Sequence, residues 1–200
     1  RCAHSFYSKR GQKVMIKIAI VGTGIIGVDH IKAISQVDDA CLCALCDVNE
    51  EVVKKLSAEY NVPYFTDYKD IPGNVDVDAV ILNLPHFLHC ESTVFFLENG
   101  INVLIEKPMA NTVAECDKMI EAAKKSGKKL AVGHVQRFFQ HNRKIKELAL
   151  SGKLGKLCMY SETRNINYFA DWRPKWFLDK EKAGGGISMN FGAHALDKLF

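Results

Sequence analysis

The stretch VGTGIIG at residues 21–27 constrains this chain more than any other. It follows the apolar run IKIAIV directly and opens a segment with helical periodicity, GIIGVDHIKAISQV. In a strand–turn–helix of this kind, Gly22 allows the tight turn, Gly24 allows close backbone approach to a pyrophosphate, and Gly27 allows close packing of helix on strand. The helix N-terminus adds unpaired N–H groups and the positive end of a dipole. Asp47 ends the next apolar run, twenty residues after Gly27. A carboxylate there accepts hydrogen bonds from an adenosine ribose and repels a 2′-phosphate, so the pattern favours NAD over NADP. Thr23, Ile25 and Ile26 complete the expected cofactor turn. Glycines used for packing alone, with Asp47 as a helix cap, and a flavin or S-adenosylmethionine in a similar turn are the alternatives.

From Lys17 onward, short apolar runs alternate with amphipathic segments. The predicted strands are IKIAIVG, ACLCALCD, a short piece of PYFTDYKDI, VDAVILNLP, INVLIEKP and KKLAVGH. Between them lie predicted helices, with Asn49 and Thr112 as N-caps and Gly100 and Gly127 as stops. Six such repeats predict an α/β fold, a doubly wound parallel sheet covered on both faces over residues 15–135. After that the rhythm changes. A helix at NRKIKELALSG precedes KLCMYSETRNI, which alternates like a strand with one wet face. The expectation is that residues 136–200 start a second, incomplete domain of a longer protein, because so few residues make a poor independent core. Residues 1–14 carry no periodicity and read as a disordered tail before Met15; a short targeting remnant, basic and free of acids, is the other reading.

Composition excludes several classes. With 48% hydrophobic and 25% charged residues the chain is of ordinary globular type. The net charge of +4 is dispersed, and the densest basic run, KKSGKK at 124–129, reads as a solvated helix end. No basic stripe with interleaved aromatics suggests nucleic acid. The first apolar run is broken by glycines and too short to cross a membrane. Seven cysteines, an odd number in a chain this long, argue against a disulfide framework, and a reducing cytoplasm fits better. Cys41, Cys43 and Cys46 sit in a strand expected to be buried, so no metal is expected.

Ligands of such sheets bind beyond the carboxyl ends of the strands. Asn83, His86 and His89 follow strand four, Glu106 and Lys107 follow strand five, and His134, Gln136 and Arg137 follow strand six. Lys107 precedes a proline, which restricts its backbone, and a buried edge there lowers a lysine pKa toward catalytic use.

VGTGIIG, LIEKPMA, SGKLGK and AGGGISMNFGAHALD, in this order, resemble the Gfo/Idh/MocA oxidoreductases. The resemblance spans residues 15–200. It implies a Rossmann domain followed by an α/β domain with an open, mostly antiparallel sheet, of which only the beginning is present. It implies hydride transfer between nicotinamide and a carbinol or carbonyl carbon of a sugar, polyol or nucleotide-sugar derivative. By resemblance Lys107 orients the substrate hydroxyl and assists proton transfer, and His194 is the acid/base. Asn190 stands where the family usually has Asp, and completes the expected catalytic set. Trp172 and Arg173 match a pair that contacts the cofactor. Leu84, Pro85, His86 and His89 stand at the Thr-Pro-Asn-x-x-His motif, of which Pro85 and His89 match; with Glu106 and Lys107 they complete the expected cofactor contacts. Asp197 either fixes the His194 tautomer or faces solvent. A homo-oligomer, dimer or tetramer, is implied for the full-length protein, with a small-molecule partner and no nucleic acid or membrane. A catalytically silent NAD-binding regulator or assembly protein of the same fold is the alternative function. A dehydrogenase of amino-acid or dihydrodipicolinate type leaves the last motif unexplained.

Overall fold

The computed structural model describes residues 15–199 except residue 172; the expected tail at 1–14 lies outside the described residues. Six strands, β1 (Ile16–Val21), β2 (Ala40–Cys46), β3 (Tyr64–Phe65), β4 (Ala79–Leu82), β5 (Asn102–Glu106) and β6 (Leu130–Gly133), form one sheet. All pairings are parallel and the order is β3-β2-β1-β4-β5-β6. The order reverses between β1 and β4, the switch point at which doubly wound sheets open a crevice for ligands.

Strand alternation sorts the core onto two faces. Ile20, Leu45 and Ile81 face α1 (Ile25–Ile34) and α2 (Glu50–Tyr60), where Ile31, Ile34 and Val53 complete a compact cluster. Val21, Val80 and Leu82 point the other way, toward Phe96 and Leu97 of α3 (His89–Glu98) and Met119 of α4 (Val113–Ser126). Both faces are covered, which explains why the strands read as continuous apolar runs.

The helix signals act as local chemistry predicts. Asn49 Oδ1 accepts the Val52 N–H at 3.2 Å. The Thr112 hydroxyl accepts the Glu115 N–H at 3.2 Å while Glu115 accepts the Thr112 N–H at 3.0 Å, a reciprocal capping box. Gly127 closes α4 at φ +68°.

Beyond β6 lie a short 3₁₀ turn at Val135–Phe138, α5 (Gln140–Leu150), a 3₁₀ turn at Lys175–Leu178, and α6 (Lys180–Ala183), α7 (Gly186–Asn190) and α8 (Gly192–Asp197). One expectation is corrected here. KLCMYSETRNI forms no strand: it is irregular and exposed. A strand exists through ladder hydrogen bonds, and no described strand runs beside this one. GGGISMNFGAHALD carries two short helices, separated at Phe191. Gly192, directly after the break, is a poor helix residue and favours interruption.

Removing the α4 capping box with Thr112→Ala is expected to lower stability by ~1 kcal/mol. A reduced urea midpoint at unchanged slope is the readout, and an unchanged midpoint would contradict it.

Candidate active site

The glycine turn is folded hard against the end of β4. Gly22 has φ +89°, and a Cβ on it would stand 2.4 Å from the Asn83 carbonyl oxygen. A Cβ on Gly27 would stand 2.0 Å from the Gly22 oxygen. Gly24 is different: nothing lies within 4 Å of its Cβ direction, and Gly24, Ile25 and Ile26 are exposed. No side chain caps α1 and no acid lies in its first turn. The open space, the helix N-terminus and the absence of repelling charge fit a pyrophosphate. Asp47 is oriented beside this turn. Its Oδ2 accepts the Thr23 N–H at 2.7 Å and the Thr23 hydroxyl at 2.9 Å, while Oδ1 accepts the Asn49 N–H at 3.0 Å. The carboxylate is thereby held at the end of β2, where a dinucleotide's ribose fits. The residues present therefore suit NAD.

Lys107 follows β5 directly. Its Nζ donates to Asn190 Oδ1 at 2.7 Å and to the Asn190 carbonyl oxygen at 3.1 Å. Asn190, 6% exposed, is the last residue of α7. Burial pulls the Lys107 pKa below the ordinary lysine value; the Arg164 and Arg173 charges pull the same way, and Glu106 opposes them. His194, also 6% exposed, sits on α8 with Nδ1 buried and without a hydrogen-bond partner. Burial pushes its pKa down to about 4, helped by the charges of Lys107, His134 and Arg164. The imidazole is thus neutral near pH 7.

Asp197 neither fixes the His194 ring by a hydrogen bond nor faces solvent. Its Oδ1 accepts from Arg137 Nε at 2.6 Å and lies 2.5 Å from Arg137 Nη2, with His134 Nδ1 at 3.6 Å. Burial raises its pKa, but the Arg137 hydrogen bond and the neighbouring positive charges outweigh this and lower it. Glu106 is held from the cofactor side: His30 Nε2 on α1 lies 3.0 Å from Oε1, and the Lys107 N–H donates to Oε2 at 3.3 Å. Burial raises the Glu106 pKa, and the His30 contact and Lys107 reverse the shift to a net lowering.

The remaining expected residues divide. His89 is corrected: it is fully buried, with Nδ1 2.8 Å from the Pro108 oxygen and Nε2 2.8 Å from the Leu84 oxygen. With both nitrogens against carbonyls it has none left for a cofactor, and it clamps the loop after β4 to the loop after β5. Leu84 packs on the core and Pro85 leads into the 3₁₀ turn at His86–Leu88. His86 is buried edge-on to Trp176, centroids 4.7 Å apart, and burial drives its pKa down to about 4. Arg173 lies over the rings of Tyr168 at 4.5 Å and Phe177 at 5.0 Å. Trp172 lies outside the described residues. The fold thus gathers Lys107, Asn190 and His194 at one place and Gly22–Gly27, Thr23 and Asp47 at another, with Glu106 reaching α1 between them. His30, Asp197 as a partner of Arg137, and Arg164 are absent from the sequence-based cofactor and catalytic sets. His30 had one local signal, its position one turn beyond Gly27 on the same helix.

A pH effect follows from the two buried histidines. His86 and His194 are lowered to about 4 from an ordinary value of 6.5. Between those values the unfolded chain binds protons that the folded chain refuses, so stability falls as pH drops through that window. Urea unfolding at pH 7 and pH 5 is expected to show the lower stability at pH 5; equal stabilities would refute the neutral, buried state of both rings.

Residues 16–134 match the family model described as "Oxidoreductase family, NAD-binding Rossmann fold", and residues 142–199 match the "GFO/IDH/MocA C-terminal domain". The chain is 32% identical to a 2,7-anhydro-N-acetylneuraminate hydratase of Mediterraneibacter gnavus, over 90% of this chain and 47% of that protein. It is 31% identical to inositol 2-dehydrogenase 3 of Saccharopolyspora erythraea, over 70% of this chain and 42% of that protein. Among solved structures it resembles the WlbA dehydrogenase of Bordetella pertussis in complex with NADH and UDP-GlcNAcA, with TM-score 0.67 and 30% identity, over 70% of this chain and 43% of that one. The chain spans about half the length of the curated relatives it matches. With its glycine turn, its strand order and both family models in agreement, the chain belongs to the Gfo/Idh/MocA family of oxidoreductases, with an NAD-binding Rossmann fold over residues 16–134.

Proposed function

We propose that the full protein is an NAD-dependent oxidoreductase acting on a carbinol or carbonyl carbon of a sugar, polyol or nucleotide-sugar derivative. The observation that carries this reading is the convergence of Lys107, Asn190 and His194 beyond the carboxyl end of β5, in a sheet whose glycine turn fits a dinucleotide. Relatives named as inositol dehydrogenases, and a similar structure holding NADH with UDP-GlcNAcA, support the substrate range.

The turn at Gly22–Gly27 would hold the pyrophosphate and Asp47 the adenosine ribose. NAD bound there supplies the hydride acceptor or donor. Lys107, while charged, would hydrogen-bond the reacting hydroxyl and stabilise its oxygen as the proton leaves, an electrostatic contribution that is often the largest single one. His194, neutral near pH 7, would take that proton. Asn190 cannot act as a base. Its two contacts to Nζ would aim Lys107 without neutralising it. The Arg137–Asp197 pair would hold α8, and with it His194, against the end of β6. Residues 136–200 are read as the start of the domain that completes the substrate pocket, and the full protein as a homo-oligomer. A cytoplasmic setting is in keeping with the six described cysteines, all free. Among the described residues no helix is long and apolar enough to cross a membrane.

In the full-length enzyme, Lys107→Met and His194→Ala are each expected to lower turnover by ~10²-fold or more with NAD affinity largely retained. Undiminished turnover in both variants would overturn the assignment. Asp47→Ser is expected to weaken NAD binding about tenfold or more, through loss of hydrogen bonds to a charged acceptor, and to narrow the preference over NADP. Fluorescence titration with both cofactors measures this.

A further inference from the structure

Glu106 is the last residue of β5, and its carboxylate is held from two sides. His30 Nε2, on α1, lies 3.0 Å from Oε1, and the Lys107 N–H donates to Oε2 at 3.3 Å. The contact with His30 is largely closed to solvent, with 23% of the histidine side chain and 15% of the glutamate side chain exposed. A carboxylate accepts hydrogen bonds and cannot donate them, so with Glu106 ionised the hydrogen sits on His30 Nε2. Donation of this kind favours the charged carboxylate. Burial raises the Glu106 pKa, yet the His30 contact and Lys107 leave it below the ordinary value.

Space for this carboxylate comes from the neighbouring strand. Gly133 is the β6 residue paired with Glu106. A Cβ on Gly133 would stand 2.9 Å from Glu106 Oε1 and 3.2 Å from its carboxyl carbon. Gly133 is not among the glycines with positive φ, so no turn demands a glycine there. A glycine inside a strand weakens it and marks a close approach. Here the approaching group is the oxygen that meets His30. Three elements, α1, β5 and β6, thus agree on one place for one carboxylate.

That place bears on Lys107. Asn190 aims Nζ but is neutral, and burial draws the lysine toward its uncharged form. Arg164 and Arg173 act in the same sense, and Glu106 acts against all three. His86 and His194 lie in the field of the lysine, and at His194 the Glu106 charge again opposes it.

We propose that His30 and Glu106 are positioning residues of the catalytic centre: His30 holds the Glu106 carboxylate in the space left by Gly133, and Glu106 supplies from there the negative charge that supports the Lys107 ammonium. The pair also ties α1, whose N-terminus faces the pyrophosphate, to the strand that carries the lysine. The inference rests on the function proposed above for this site and deepens it.

The test uses full-length protein with NAD and a polyol or sugar that it oxidises. Glu106→Gln and His30→Ala are each expected to lower kcat about tenfold or more, with little change in the KM for NAD. His30→Gln keeps a donor and should restore most of kcat. Gly133→Ala removes no polar group and should lower kcat by crowding the carboxylate. Loss of a negative neighbour makes Lys107 release its proton more easily, so the alkaline limb of kcat moves to lower pH in Glu106→Gln and His30→Ala, by about half a unit or more. Competitive acetylation, mapped by mass spectrometry, follows the same titration at Lys107 without turnover. Wild-type kcat and pH profile in both variants overturn the proposal. So does a fall in kcat with the limb unmoved, which marks a structural role alone, a loss confined to NAD affinity, or the lack of rescue by His30→Gln. Should Lys107 titrate lower in both variants while no polyol, sugar or nucleotide sugar is turned over by the unaltered protein, the positioning pair stands and the oxidoreductase reading falls. Turnover with the Lys107 titration unmoved in both variants leaves that reading in place and overturns the pair.

Discussion

The hydrogen bonds from Lys107 Nζ to Asn190 join two parts of the chain that lie 83 residues apart. β5 is paired on both sides, with β4 and with β6, so the residue that follows it inherits its place from a fixed ladder. Asn190 ends α7, and through it the position of α8 is referred back to the sheet. A second tie runs in parallel: Arg137, just past β6, grips the buried carboxylate of Asp197 at the end of α8. His194 lies between the two ties. With Arg137 half exposed and only the carboxylate buried, the pair adds little net stability, but losing the arginine strands the Asp197 charge. Its effect here is orientation. Two neighbouring strand ends hold two consecutive short helices, neither of which is long enough to be stable alone.

The same arrangement sets the charges. Lys107 is half-buried with a neutral partner, and His194 lies in the field of that lysine and of Arg164. A histidine lowered to about 4 is free to accept a proton at neutral pH, yet is a weak base. Burial is the main cause, and water exclusion by a substrate would deepen it.

What was legible in the sequence was local. The glycine spacing, the apolar runs, Asn49 as a cap, and Thr112 with Glu115 all express interactions within a few residues, and each appears where the pattern puts it. The α/β fold followed, because alternating elements admit few topologies. The site was legible only in part. KLCMYSETRNI has the alternation of a strand, but alternation records which side chains prefer water and does not supply a partner ladder. His89 sits at a motif position that suggests a ligand contact, and only the packed structure brings the Leu84 and Pro108 carbonyls onto its two nitrogens. Asp197, three residues past His194, reads either as its partner or as a solvent-facing acid. The stronger claim comes from Arg137, 60 residues away. His30 and Arg164 are single polar residues whose meaning depends on Glu106 and Phe191 arriving beside them.

The residues gathered at the site are supported by the buried sheet. Lys107, Glu106 and Arg137 stand on or just beyond strands buried in the sheet, and His89 clamps two of the strand-end loops to each other. Groups that must meet a reacting atom within a few tenths of an ångström need such supports.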